Sequence, residues 1–389
     1  MAIGQITRLD TLALTSVATN ETTLIEVRSG IIAAFFTWAD PSTHIGCTTF
    51  SYDTDGVLTK LDEKELTGIT AYYNVFSAIK IADGVAAFTT VGSSSSPFTG
   101  RLATVSINSS GIITAAVIDN IQIYASGLDS TIVHAVGNYY AITYGSLADN
   151  TSRLITVDID SSGNIGSVID TYQPTTNYSI DISILKIASG VVAIFYNENN
   201  QPTYFANVVE TLPISSSDGT IGAQIDESVW GNEVHYDLKA FPVSGTIYAC
   251  AFRDGSTEEG TVTTFDIAAD GTITTADVDT LQFEATNIPI EGYNSYGAFG
   301  NGIAVFSYSD YNFVGQIRTV DIDPSGNIGA TTLDSEIANS AGGNYSDYDP
   351  IIKVSETMFI ILYGWSALEK SALSIRVAET TFIPKVIII

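Results

Sequence analysis

The chain has 389 residues, with 43 acidic against 15 basic side chains and a formal net charge of −28. A body this acidic repels phosphate backbones and anionic lipid surfaces, which argues against nucleic acid as a partner and against binding to such membranes. Only 15% of the residues are charged, so Thr, Ser, Asn and Tyr carry much of the polarity, as suits a β-rich chain with hydroxyl-bearing faces.

The opening MAIGQITRLDT has neither the basic nor the apolar region of a secretory signal. No window reaches the roughly 18 apolar residues of a membrane span. The expected location is therefore a virion or extracellular assembly reached without such a signal, by lysis for example, and otherwise the cytoplasm. Cys47 and Cys250 stand in the apolar runs HIGCTTF and IYACAF, in different repeats. They are read as two small core residues, too far apart for a disulfide.

In chain order, the first element is a lone strand, IGQITRLDTLAL (3–14). Repeating units follow, and residues 177–230 show one whole. ISILKIASGVVAIFY reads as strand, turn at Gly190, strand; NENNQPT reads as a loop. YFANVVETLPISSSDGTIGAQIDESVW reads as strand, turn at Asp218-Gly219, strand. These four antiparallel strands are named A to D from the inside outward. The units run over roughly 20–66, 71–122, 128–173, 177–230, 234–283, 293–337 and 345–382. A–B turns carry Gly30, Gly84, Gly137, Gly190, Gly245 and Gly302, with Glu356 in the last unit. C–D turns carry Gly56, Gly111, Gly163, Gly219, Gly271 and Gly326, with no counterpart in the last unit. That unit ends at its strand C, so strand 3–14 is expected to supply its outer strand and close a ring.

One further mark recurs: an aspartate after an apolar or small residue, at Asp10, Asp62, Asp119, Asp170, Asp226, Asp279 and Asp334. From Asp10 to Asp334 is 324 residues in six steps, a mean period of 54. This period, with β-branched strands and turn glycines, predicts an all-β, seven-bladed β-propeller forming a single domain, four strands to a blade. The aspartates are read as Asx-type caps fixing the crossing from strand D to the next strand A.

The phrases IVHAVGNYYAITY (132–144), LITVDIDSSGNI (154–165) and VIDTY (168–172) resemble a propeller-like repeat of uncharacterised bacterial, archaeal and phage proteins. ADVDTLQF (276–283) is similar to the ending of that repeat. The resemblance spans essentially the whole chain. It implies the fold and carries no activity and no site residue.

The A–B and C–D turns are short and uniform. The B–C and D–A loops, which share the opposite face, are long and differ in every unit. Trp38 lies in TWADPSTH, Tyr72 and Tyr73 in AYYNVF, Tyr172 and Tyr178 in YQPTTNYS, Trp230 and Tyr236 in WGNEVHYD. Tyr293 and Tyr296 lie in EGYNSYG, Tyr311 in YSDYNF, Tyr345 and Tyr348 in GGNYSDYD. Tyr, Trp, Asn, Ser and Gly are the residues of a paratope, and the same aromatics stack on sugar rings. A second pattern is DIDSSGNI (158–165) and DIDPSGNI (321–328), with Asp158, Asp160, Asp321 and Asp323 spaced as in the first half of a calcium loop. Position twelve, where such a loop needs Glu, is Ile169 and Thr332, so no cofactor is expected and calcium is the weaker alternative.

His44, His134 and His235 fall in different units, and no nucleophile or metal motif is present. His134, in an apolar strand, is read as a core residue. The functional expectation is a non-enzymatic binding or display platform in a larger assembly, virion- or tail-associated, with protein partners or a surface glycan. The alternative is a carbohydrate-active propeller, either a lectin or a glycosidase using paired carboxylates. The tail FIPKVIII (382–389) is expected to add as a strand to a neighbouring subunit, which would make a homo-oligomer, or to this ring's own outer edge.

Overall fold

A computed structural model describes residues 4–15, 19–38, 44–69, 73–92, 98–177, 179, 181–200, 204–233, 235–285, 296–300, 302–309, 315–330, 332–339, 350–366 and 369–378. They form seven antiparallel sheets in a ring, a seven-bladed β-propeller. Blades one to six span 19–65, 73–124, 127–172, 182–231, 235–284 and 296–339; the seventh joins 351–377 to 6–15. Neighbouring A strands contact each other around the ring, and that of blade seven meets that of blade one. Blades alone cannot bury both faces of a sheet, so the cores lie between them. Ile303 and Val305 of blade six, for example, pack with Ile361, Leu373 and Ile375 of blade seven and with Ile6. Cys47 and Cys250 are free, fully buried and in separate clusters, and burial pushes both thiols far up from their usual range.

The ring closes as expected, by strand Ile6–Thr15 pairing with strand Glu369–Val377 from Ile6↔Val377 to Thr15↔Lys370. Where these two strands meet, they reproduce the bonds of a C–D turn. Ala378 N donates to Gln5 O (3.0 Å), and Gly4 N donates to Ala378 O (3.0 Å). The intact turn of blade three closes through the same two bonds, Asp160 N to Asn164 O (3.0 Å) and Gly163 N to Asp160 O (2.9 Å). Gly4, with φ 73°, is therefore the seventh C–D glycine, which the sequence reading did not count because it stands at the other end of the chain.

The recurrent aspartate has a role different from the expected one. One oxygen, Oδ2, accepts the backbone N–H of the next blade's outer strand at 2.8–2.9 Å: Asp10 from Leu58, Asp62 from Ile113, Asp119 from Ile165, Asp170 from Ile221, Asp226 from Ile273, Asp279 from Ile328 and Asp334 from Ile6. The carboxylates thus tie outer strand to outer strand and do not cap the D-to-A crossing. The residue before each aspartate covers the next blade's turn glycine. Leu9 lies over Gly56, Leu61 over Gly111, Ile118 over Gly163 and Leu333 over Gly4, so closely that a Cβ on the glycine would collide. These glycines also hold φ of 73–95°, which L-residues avoid.

A hydroxyl on strand C, opposite the aspartate, completes the clasp. Thr49 donates to Gly111 O, Thr104 to Gly163 O, Thr211 to Gly271 O, Thr264 to Gly326 O, Thr319 to Gly4 O and Ser374 to Gly56 O, at 2.5–2.8 Å. Thr156 is the exception. The turn it faces is closed by Gly219 N to Ser215 O, one residue longer than the Asp160–Gly163 turn, and its buried Oγ1 has no partner.

Two local departures bear on the site. In blade four, strands B (Val191–Asn200) and C (Tyr204–Pro213) pair through Asn197↔Asn207 and Glu198↔Ala206, so the NENN segment is strand and not loop. In blade five the outer edge is split between Ile273–Thr275 and Thr280–Glu284, both paired with Gly260–Ile267. His134 is not a core residue: half-exposed at the end of its A strand, it contacts Gly137 O through Nε2 (2.9 Å) and Lys186 Nζ through Nδ1 (3.2 Å).

Candidate functional site

Six of the aromatic candidates, Tyr72, Tyr178, Tyr293, Tyr311, Tyr345 and Tyr348, lie outside the described residues. Trp38, Tyr73 and Tyr296 are placed as backbone in strands Ile31–Trp38, Tyr73–Ala82 and Tyr296–Gly300. Of the remaining three, Tyr172 has a structural task. Its hydroxyl donates across the blade junction to Oε1 of Glu210, which is fully buried, and Tyr196 Oη lies 3.5 Å from Oε2. Burial, more than the nearby Glu227 charge, pushes the Glu210 carboxyl up to about 7, while the tyrosine bonds pull it the other way.

Trp230 and Tyr236 come together at the junction of blades four and five. Trp230 sits near the end of the outer strand Asp226–Gly231, and His235-Tyr236 begins the next A strand, His235–Ser244. The crossing is tight because Gly231 has no side chain: a Cβ there would meet Asn207 Nδ2 at 2.8 Å and His235 Cε1 at 3.3 Å. The Asn207 amide donates to Glu233 O (2.7 Å), and the Asn197 amide donates to His235 O. Both asparagines lie on the extended hairpin of blade four.

The His235 ring stacks on Phe252, centroids 3.8 Å apart, with Trp230 tilted against it at 4.9 Å. Cross-strand pairing places Tyr236 opposite Arg253, and the guanidinium carbon lies 4.5 Å from the tyrosine ring centroid. A register shift between Tyr236 and Lys239 turns the tyrosine outward, and it remains 36% exposed. Asp237 takes the left-handed conformation (φ 59°), which a short polar residue tolerates, and one carboxylate oxygen lies 3.8 Å from Arg253 Nε. The B–C turn of blade five completes the rim. Asp254 Oδ1 accepts from Ser256 N (2.8 Å), Ser256 Oγ (2.7 Å) and Thr257 N (3.0 Å), and Ser256 Oγ also reaches Glu233 Oε2 (2.8 Å). Although burial opposes it, these bonds hold the Asp254 carboxyl below its ordinary value.

Three polar side chains of this junction are more than nine-tenths buried: Asn207, His235 and Arg253 are 0%, 7% and 3% exposed. Each keeps one buried polar atom without a hydrogen-bond partner, respectively Oδ1, Nδ1 and Nε, and Trp230 Nε1 joins them. Such atoms cost about 1–3 kcal/mol each, so native interiors rarely gather several in one place without a use for them. Burial also lowers the His235 pKa to about 4, which keeps the imidazole neutral near pH 7. The sequence reading missed Asn207, His235 and Arg253. Their signal is visible only once the strands are paired.

The candidate calcium aspartates serve the turns. Asp160 Oδ1 accepts from Ser162 N (2.8 Å) and Asn164 N (3.0 Å), and Oδ2 from Asn164 Nδ2 (2.7 Å); Asp323 does the same with Ser325 and Asn327. The bond from the asparagine side chain is the main cause of their lowered pKa values. Asp158 and Asp321 precede these turns on strand C, paired with Tyr139 and Ile303. Among the described residues, no three His, Cys, Asp or Glu side chains group as metal ligands.

No protein-family model matches the chain, and no curated protein sequence does. Solved structures match in shape. The chain is similar to the periplasmic gluconolactonase of Pseudomonas aeruginosa at 13% identity and TM-score 0.52, covering 81% of this chain and 84% of that one. A hypothetical selenium-binding protein of Sulfolobus tokodaii matches at 9% identity and TM-score 0.56, covering 91% and 84%. A polysaccharide lyase matches at 7% identity and TM-score 0.53, covering 97% and 100%. At these identities the likeness is one of fold. Among the described residues, no helix is long and apolar enough to cross a membrane.

Proposed function

We propose that the chain is a rigid, non-enzymatic docking platform whose loop face binds at the junction of blades four and five. The observation that carries this reading is the set of buried polar atoms without a hydrogen bond on Asn207, Trp230, His235 and Arg253 beside the exposed Tyr236 ring. The clasps support the reading because they hold the blades at fixed relative positions, so the loop face is presented without reorganisation. Glu233, Asp237 and Asp254 make the rim acidic, which favours a protein partner with basic or neutral contact residues. The resemblance to repeats of phage proteins supports a place in a virus particle or its tail.

A second reading is a glycan ligand. The outward Tyr236 ring favours it, and two of the fold neighbours are named for carbohydrate chemistry, a gluconolactonase and a polysaccharide lyase. A glycan array combined with a reducing-sugar assay separates the readings, with Tyr236→Ala as the control. Binding lost in the variant and without release of reducing ends supports a glycan-binding platform, and release of reducing ends overturns the non-enzymatic assignment. If no glycan binds, photocrosslinking from position 236 in the native particle is the deciding measurement. Failure to crosslink to a particle protein rejects the loop-face platform.

A further inference from the structure

We propose a second binding site, at the seam where blade seven meets blade one, for a small hydroxylated monocarboxylate. The seam holds a cavity of about 570 Å³, lined among others by Ser29, Tyr52, Asp53, Ser355, Thr357 and Arg376. Sites for small organic molecules have volumes in this range. It opens on the turn face, away from the blade four–five junction. Its walls come from the A–B turns of both blades and the C–D turn of blade one.

The seam differs chemically from its counterparts. Arg376 stands two residues beyond the clasp hydroxyl of Ser374. The same strand-C position holds Asp158, Asp266 and Asp321 in blades three, five and six, Ser51 and Ser106 in blades one and two, and Pro213 in blade four. Only the seam presents a cation there. Its guanidinium donates through Nη2 to Thr54 O (3.0 Å) and makes no ion pair among the described residues. Arg8, Arg28, Lys60, Arg153, Arg318 and Lys353 all pair with carboxylates.

Two acids around the seam are engaged elsewhere. Asp53, in the same wall, uses Oδ1 to hold its own turn through Asp55 N and Val57 N, both at 2.9 Å. Behind Tyr52, Glu26 Oε1 takes the tyrosine hydroxyl (2.6 Å) and Gly30 N (3.0 Å). The blade-seven turn, built on Glu356 where other blades have glycine, is closed by Ser355 Oγ accepting from Met358 N (3.0 Å).

These groups select a class of ligand. An anion is needed for Arg376, whose fork suits a carboxylate. A dianion such as phosphate would meet the charges of Asp53 and Glu26 as well. The second carboxylate oxygen of Asp53, with the hydroxyls of Ser29, Ser355 and Thr357, suits ligand hydroxyls. The Tyr52 ring and Met358 offer an apolar wall. A hydroxy acid of monosaccharide size combines the required features. Because its contacts come from both blades, binding would bridge the closure of the ring and raise its stability by mass action.

The test is a thermal-shift titration of the full chain with glucuronate, glucose, acetate and inorganic phosphate at equal ionic strength. Glucuronate is expected to raise Tm, and the other three are not. Arg376→Gln should abolish the shift, and Ser29→Val, at an exposed turn position, should weaken apparent affinity about tenfold, the worth of one good hydrogen bond. Tyr236→Ala should leave the shift intact, which separates this site from the loop face. The proposal is overturned if glucuronate gives no shift, if acetate or phosphate matches it, or if the shift survives in a folded Arg376→Gln protein.

Discussion

Thr104 and Thr156 occupy the same position in consecutive blades, and replacing each by valine should change stability in opposite directions. Both side chains are fully buried, and valine preserves their shape. Thr104 Oγ1 donates to Gly163 O at 2.6 Å, a bond that ties blade two to blade three. Thr104→Val removes that bond and strands a carbonyl, so it should cost about 1–2 kcal/mol. Thr156 faces the longer turn of blade four, and its hydroxyl has no partner. Thr156→Val removes a polar group that was desolvated for nothing, and should stabilise by roughly 1 kcal/mol. The two changes should therefore differ by about 2–3 kcal/mol, well above the scatter of urea unfolding curves analysed with a common slope. If both variants are destabilised equally, the clasp hydroxyl is not what distinguishes the junctions, and the account of the turn lengths fails.

Two further outcomes follow from the fold. Glu210, raised to about 7 from an ordinary 4.5, contributes stability that is fully present below pH 4.5 and is lost as pH rises through 7. Glu210→Gln should therefore gain on the wild type by roughly 2.5 kcal/mol between pH 5 and pH 8.5, read from urea midpoints at the two pH values; a constant difference would exclude ionisation of this carboxyl as the cause. Since Ala378 and Gly4 mimic Asp160 and Gly163, two inserted residues should join them once residues 1–3 and 379–389 are removed, and such a circular permutant opened between Ser161 and Ser162 should fold with an unchanged circular dichroism spectrum. Loss of its β-sheet signal would show that the Asp160–Gly163 turn cannot be opened without loss of the fold.

How much of this was legible in the sequence depends on whether a feature repeats. The turn glycines and the apolar-Asp pair recur because seven junctions make the same demand, and the repetition exposed both the blade count and the closure by strand Ile6–Thr15. The purpose of the aspartate was not legible. Its partner, for instance Ile165 N for Asp119, lies 46 residues away in the next blade, and no local pattern records that distance. The Thr and Ser hydroxyls escaped notice for the same reason, since a threonine in a strand is unremarkable until its opposite number is known. Tyr172 shows the converse: a loop-edge tyrosine resembles a binding residue, yet its hydroxyl belongs to Glu210 of the following blade.

The sequence by itself determined the architecture, because periodic apolar strands, turn glycines, one lone strand at the start and a last unit short of its outer strand leave few ways to close a β ring. Only the tertiary structure decided where binding chemistry gathers. Asn207, Trp230, His235, Tyr236 and Arg253 come from four strands of two blades, and Arg376 meets Ser29 and Tyr52 across the join of the two ends of the chain. Such groupings are properties of strand pairing and ring closure. The repeat sets the positions of the side chains, while departures from the repeat, such as a missing glycine or an arginine in place of aspartate, set what those positions can hold.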